Sequence, residues 1–201
     1  MAGFKDHILF TKGYPSVKKF VSCAFIISIV FHISGCTRQL STQDYIQWVT
    51  DYENGLHVRK SINDFVFDLQ YKPNDFVKLE RNNDNVQDSL TYFTLKIGGA
   101  NQQDLLQYGV TDAAAIQQNL YYYSYLFQNS IFMEYNGIKF PCVRYHFERS
   151  DSKNMCVFNL GFEAPAFKDE SQIYLEMASD KLYSLPVRLK VTLNNVPKLQ
   201  I

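Results

Sequence analysis

The sequence lacks an apolar run long enough to cross a bilayer. Its longest, "FVSCAFIISIVFHIS" at residues 20–34, holds 15 residues and includes His32, whereas a spanning helix needs roughly 20 predominantly apolar residues. A retained membrane-spanning anchor is therefore disfavoured. Net charge is also missing: 20 Lys and Arg balance 20 Asp and Glu, with no polybasic run. That balance argues against nucleic acid as a partner and against an electrostatic membrane signal. No HExxH, CxxC, GxSxG, Walker or GxGxxG pattern occurs, so the chemistries those motifs carry have no support in this chain. Internal repeats and low-complexity linkers are absent as well. Only His57 and His146 lie beyond residue 36. One histidine and one carboxylate on a strand fall short of the three or four ligands that zinc takes from protein, so neither a metal nor a cofactor is expected.

The N-terminus has the three-part pattern of an export signal. Lys12, Lys18 and Lys19 form a basic leader, Phe20 to Ile33 an apolar stretch, and Ser34 and Gly35 a small-residue end before Cys36. The segment "ISGC" at residues 33–36 resembles the lipobox of bacterial lipoproteins. The resemblance implies that the Cys36 thiol receives a diacylglycerol, that residues 1–35 are cleaved as a signal peptide, and that the new amine is acylated. Two or three acyl chains anchor firmly, since each buried methylene contributes about 0.8 kcal/mol and one chain alone is marginal. An ordinary cleaved signal or an uncleaved anchor is the alternative. After Cys36 come Thr37, Arg38 and Gln39, neither the aspartate associated with inner-membrane retention nor the acidic run associated with surface display. By that resemblance the protein is expected in the outer membrane, facing the periplasm.

Without the leader, which carries four lysines and one aspartate, 16 basic and 19 acidic residues remain, a net charge near −3. Residues 36–40 are expected to be a short lipidated tether and residues 41–201 a single globular domain, long enough to bury a core. Its expected class is α+β: a mainly antiparallel sheet of about seven to eight strands, in hairpins and a meander, with an N-terminal and a central helix packed on it.

The N-terminal helix is signalled by Ser41 and Asp44 at capping-box spacing, and by Tyr45, Trp48, Val49 and Tyr52 on one face. This stripe reads first as core, with a partner or lipid-interface surface around Trp48 as the sharper alternative. A turn at Asn63–Asp64 sets Ile62 opposite Phe65, Lys60 opposite Phe67 and Val58 opposite Leu69, with Leu56 facing Tyr71 beyond them. The other face then pairs Arg59 with Asp68 and His57 with Gln70, which makes His57 a solvated strand residue. Pro73 ends that hairpin, Asn74 is expected to cap a short helix through "DFVKLER", residues 82–89 form a polar loop, and "LTYFTLKIGG" forms a strand.

The central helix is expected from Thr111 to about Gln128, capped by Thr111, with Ile116, Leu120, Tyr123 and Phe127 buried. Tyr121 and Tyr125 lie on the opposite side, either covered by a second layer or exposed as an aromatic binding pair. Asn136–Gly137 is the strongest hairpin signal, placing Glu134 opposite Lys139, Met133 opposite Phe140 and Ile131 opposite Cys142. The apolar positions then change parity, which a bulge near Pro141–Cys142 explains. A four-residue loop at 150–153 sets Phe147 opposite Cys156, Tyr145 opposite Phe158, Val143 opposite Leu160 and Cys142 opposite Gly161. In that register Cys142 and Cys156 stand roughly 17 Å apart. A disulfide needs Cα atoms within about 7 Å, so both are expected to be buried free thiols unless the register is wrong. "QIYLEMA" and "VRLKVTL" supply the last strands.

One polar constellation remains, "RYHFER", in which alternation puts Arg144, His146 and Glu148 on one strand face. Glu148 could hold His146 as an acid–base group and Arg144 could meet an anion; the plainer reading is the solvated face of a half-buried strand. "YIQWVTDYENGL", "FDLQYKP" and "YHFERS" resemble the spaced motifs of small uncharacterised lipoproteins of Bacteroidota. That resemblance implies an envelope address and no active-site residue. The expected function is that of a non-enzymatic binding or structural component of an envelope assembly, held to the membrane by lipid on Cys36 and engaging an envelope protein partner. The rival is a small envelope hydrolase or ligand-binding domain centred on Arg144, His146 and Glu148. A concave pocket containing those three groups favours the rival, and a flat solvated strand removes its motivation.

Overall fold

The computed structural model describes residues 39–82, 89–101, 103–150, 155–168 and 170–200. The export signal, Cys36 and its neighbours, most of the 82–89 loop and the 151–154 loop lie outside the described residues. Residues 37–201 form one compact unit.

The architecture is α+β, as expected. Eight antiparallel strands make up the main sheet, β2 (His57–Ile62), β3 (Phe65–Lys72), β4 (Leu90–Gly99), β5 (Ile131–Tyr135), β6 (Ile138–Ser150), β7 (Met155–Glu163), β8 (Ser171–Met177) and β9 (Val187–Leu193). Their order in the sheet is β2-β3-β4-β7-β6-β5-β8-β9. A parallel pair of short strands, β1 (Gln39–Leu40) and β10 (Lys198–Leu199), lies apart from it. Gln39 and Leu40, expected in the tether, thus belong to the fold, and Gln200 N–H donates to the Leu40 carbonyl at 2.9 Å.

β6 joins the two halves of the sheet. Its first residues pair with β5 and the rest with β7. A register shift between Cys142 and Arg144 isolates Val143, which is exposed while Tyr145 and Phe147 pack against the core. An extra residue at this point bends the strand and increases its twist, and the sheet curls until its ends meet. Thr192 N–H donates to the Gly55 carbonyl at 3.0 Å, linking the approach to β2 with β9. Gly55 has φ +79°, and a Cβ there would sit 3.0 Å from the Thr192 carbonyl oxygen. The near-barrel therefore closes at a residue where a side chain is excluded twice, by backbone conformation and by space.

The concave side is filled by Phe65, Phe67 and Leu69 of β3, Leu95 and Ile97 of β4, Phe158 and Phe162 of β7, and the apolar residues of β5, β8 and β9. Three helices cover its openings and flank: α1 (Thr42–Thr50), α2 (Asn74–Arg81) and α3 (Ala113–Tyr121). α1 starts at Ser41, whose hydroxyl accepts from Asp44 N–H at 3.3 Å and donates to the Asp44 carboxylate at 2.7 Å. It buries Tyr45 and Val49, while Trp48 packs partly on the core and Tyr52 falls in a 3-10 turn beyond the helix. Burying a side chain of this size stabilises by about 1.5–3 kcal/mol.

Two helix starts differ from expectation. Pro73, not Asn74, precedes α2, and no side-chain cap is made there. Asp112, not Thr111, caps α3, its carboxylate accepting from Ala115 N–H at 2.8 Å. α3 is shorter than expected because it widens into a π turn, Tyr122–Leu126, and then tightens into a 3-10 turn, Phe127–Ser130. This change of pitch still buries Tyr123 and Phe127, and the Tyr145 hydroxyl donates to the Tyr123 carbonyl.

The β2–β3 register is the one the sequence dictates, from Ile62 opposite Phe65 to His57 opposite Gln70. In the β6–β7 hairpin the expected register is corrected by two residues. Tyr145 faces Leu160, Phe147 faces Phe158, Arg149 faces Cys156, and Cys142 faces Phe162. The loop is four residues long but begins one residue later, since Ser150 still pairs with Met155. Cys142 and Cys156 are buried free thiols, about six positions apart along β7, or roughly 20 Å.

Candidate functional site

Alternation along β6 sends Tyr145 and Phe147 inward, and Arg144, His146 and Glu148 outward onto one face. That face is not flat. α2 stands over it, and the space between helix and sheet is a groove of about 460 Å³. The groove is lined by Lys72, Glu80 and Arg81 around the helix, Tyr92 and Thr94 of β4, Asn159 of β7, and the three β6 residues. Its volume falls within the range of small-molecule sites.

A hydrogen-bonded ladder crosses three strands on its floor. The buried Thr94 hydroxyl donates to Asn159 Oδ1 at 2.9 Å, and Asn159 Nδ2 donates to Glu148 Oε1 at 3.0 Å. His146 Nε2 stands 3.2 Å from the same Glu148 oxygen. Glu148 is thereby fixed from behind and can orient the imidazole. The side chains of His146 and Glu148 are nevertheless 69% and 53% exposed. Water screens such a pair strongly, which suits recognition better than proton transfer in a sequestered site.

The cations fall into two groups. Lys72 Nζ contacts both Glu80 carboxylate oxygens, at 2.9 and 2.8 Å. Arg81 lies over the Tyr92 ring at 5.2 Å, and among the described residues neither Arg81 nor Arg144 has an ion-pair partner. Arg144 is opposite Gly161, where a Cβ would come within 2.9 Å of the Arg144 Cβ. The glycine leaves room for the arginine stem to lie across the sheet. Lys72, Arg81, Thr94 and Asn159 were not legible as groove residues, because only the register of three strands and the placement of α2 bring them together.

The other candidate residues are not brought to this groove. Tyr121 and Tyr125 are 57% and 67% exposed, with ring centroids 5.4 Å apart; among the described residues no second layer covers them. Trp48 is half-buried against the core. Burial pushes the Cys142 thiol up to about 11 and the Cys156 thiol up to about 12, which suppresses the reactive thiolate.

His57 is corrected. It is not a solvated strand residue: its side chain is 11% exposed, and the Tyr52 ring stacks on it at 3.8 Å. Nε2 lies 2.7 Å from Asp68 Oδ1 and Nδ1 lies 2.9 Å from the Thr50 carbonyl. The Tyr52 hydroxyl donates to the second Asp68 oxygen at 2.7 Å. Burial works to raise the Asp68 carboxyl, but the bonds from His57 and Tyr52 outweigh it and hold the group below its ordinary value. Both ring nitrogens and both carboxylate oxygens are occupied, so the cluster is a clasp between α1 and the hairpin.

No protein-family model, curated protein or solved structure matches the chain.

Proposed function

We propose that this chain is a cell-envelope lipoprotein, anchored through acylated Cys36 in the outer membrane and facing the periplasm, whose domain is a non-enzymatic binding module. Its working surface is the groove of Arg144, His146 and Glu148. The observation that carries the binding half of this reading is concavity: three residues placed on one strand face by alternation line a groove roofed by α2. The anchor half rests on the lipobox-like "ISGC". Recognition is favoured over hydrolysis because His146 and Glu148 are open to solvent and the Thr94 hydroxyl in the groove is committed as a donor to Asn159.

Native mass spectrometry of the full chain released gently from its own kind of cell tests the binding half. A small-molecule adduct present on the natural protein, and lost when Arg144, His146 and Glu148 are all changed to Gln, supports it. An adduct retained by the triple variant places binding elsewhere. A second reading, docking of an envelope protein, is favoured by the exposed Tyr121–Tyr125 pair. Cross-linking in intact cells, with and without serine at both tyrosines, tests that reading.

A further inference from the structure

We infer that the α2 groove takes a phosphate-type dianion, carried either on a small soluble molecule or on a lipid headgroup. This rests on the groove being a binding site and adds the chemical class of what it binds. Charges in the groove do not cancel. Lys72 is held by Glu80, and Glu148 is committed to Asn159 and His146. Arg81 and Arg144 remain, without an ionic partner among the described residues. An arginine presents five N–H donors in a planar fork that matches phosphate geometry, and Arg81 over the Tyr92 ring keeps its edge N–H groups for another acceptor.

The background potential does not explain this concentration of positive charge, because the chain beyond residue 35 carries 16 basic and 19 acidic residues. His146 follows Arg144 by two positions on the same face, roughly 7 Å along the strand. It can add an N–H donor toward the same ligand. The Gly161 opposite Arg144 lets the arginine stem lie across the sheet.

Other ligand classes fit less well. A neutral sugar is usually held by an open aromatic face, but Tyr92 and Phe93 are buried in the floor and Arg81 covers the Tyr92 ring. A cation would meet two guanidinium groups that have no ionic partner among the described residues. A purely apolar ligand would desolvate those same groups without replacing their hydrogen bonds.

The test is calorimetric titration of the full chain in detergent with glycerol 3-phosphate, with glycerol as its neutral counterpart, and of the chain with nanodiscs containing or lacking phosphatidate. Maltose serves as a neutral sugar probe. Saturable binding of glycerol 3-phosphate identifies a soluble source. Binding only to phosphatidate nanodiscs identifies a headgroup. In either case Arg144→Gln and Arg81→Gln should each weaken binding about tenfold or more, while leaving the unfolding midpoint unchanged because both side chains are exposed. Absence of both phosphate arms, or equal binding by the arginine variants, overturns the inference. If maltose binds and the Arg144, His146 and Glu148 triple variant does not bind it, the groove reading stands and the anionic class falls. If an adduct seen on the natural protein survives in that triple variant, the groove reading itself fails.

Discussion

His57 Nε2 lies 2.7 Å from Asp68 Oδ1, across the β2–β3 hairpin and beneath the ring of Tyr52. This pair ties the end of α1 to the sheet, because the other imidazole nitrogen meets the Thr50 carbonyl and Tyr52 holds the remaining Asp68 oxygen. Removing one member leaves a nearly buried polar group short of a partner. His57→Ala should therefore lower unfolding free energy by about 1–3 kcal/mol, read from urea unfolding at neutral pH. An unchanged midpoint would mean that the clasp contributes nothing net.

The same cluster gives a pH dependence of definite sign. The folded Asp68 carboxyl titrates below its ordinary value, so its contribution is complete above the unfolded carboxyl value of about 3.9 and is lost as pH falls through the folded one. Asp68→Asn should flatten the fall in stability below about pH 4. Unfolding midpoints of natural and variant protein, followed from neutral to acid pH, check this; parallel curves would contradict it.

The seam at Gly55 predicts a backbone-specific cost. Gly55→Ala must hold φ near +79° and place a methyl 3.0 Å from the Thr192 carbonyl oxygen. We expect a loss of about 1–3 kcal/mol and faster amide exchange at Thr192, whose N–H closes the sheet. By contrast, an alanine at Gly137, where φ is +77° and nothing lies within 4 Å, meets the conformational cost alone.

Cys142 and Cys156 should resist alkylation in the folded protein, both because they are buried and because their thiols are raised to about 11 and 12. In a lipidated chain that begins at Cys36, two equivalents should react promptly after unfolding. Quick labelling of Cys142 or Cys156 in the native state would contradict their burial, and a Cys142–Cys156 peptide in a non-reduced digest would contradict the β6–β7 register.

Serine at Tyr121 and Tyr125 should change stability by less than about 0.5 kcal/mol, as expected of exposed positions. If the pair docks an envelope partner, the same change should abolish its cross-link. A large stability loss would show that the pair is structural.

The β2–β3 hairpin was legible to the residue because three signals agreed: an Asn-Asp turn, an apolar alternation, and Arg59 opposite Asp68. The β6–β7 hairpin was not, since nothing in "RSDSKN" says where the four loop residues begin. A one-residue shift of that loop moves every pair by two, which preserves the face of each side chain. Arg144, His146 and Glu148 therefore shared a face in either register. What made that face a groove was α2, whose position depends on contacts of Val77 with Leu90 and Tyr92. His57 was misread because alternation describes only the strand it lies on. The Tyr52 turn that covers it follows a helix whose placement no local pattern specifies.

Intact mass with membrane fractionation, on the protein made in its own kind of cell beside Cys36→Ser, tests the central claim most directly. The account predicts a membrane-bound chain that begins at a diacylated or triacylated Cys36, and a variant that loses both the acyl mass and the membrane. A chain that keeps residues 1–35, or one that is soluble and carries no lipid, would contradict it.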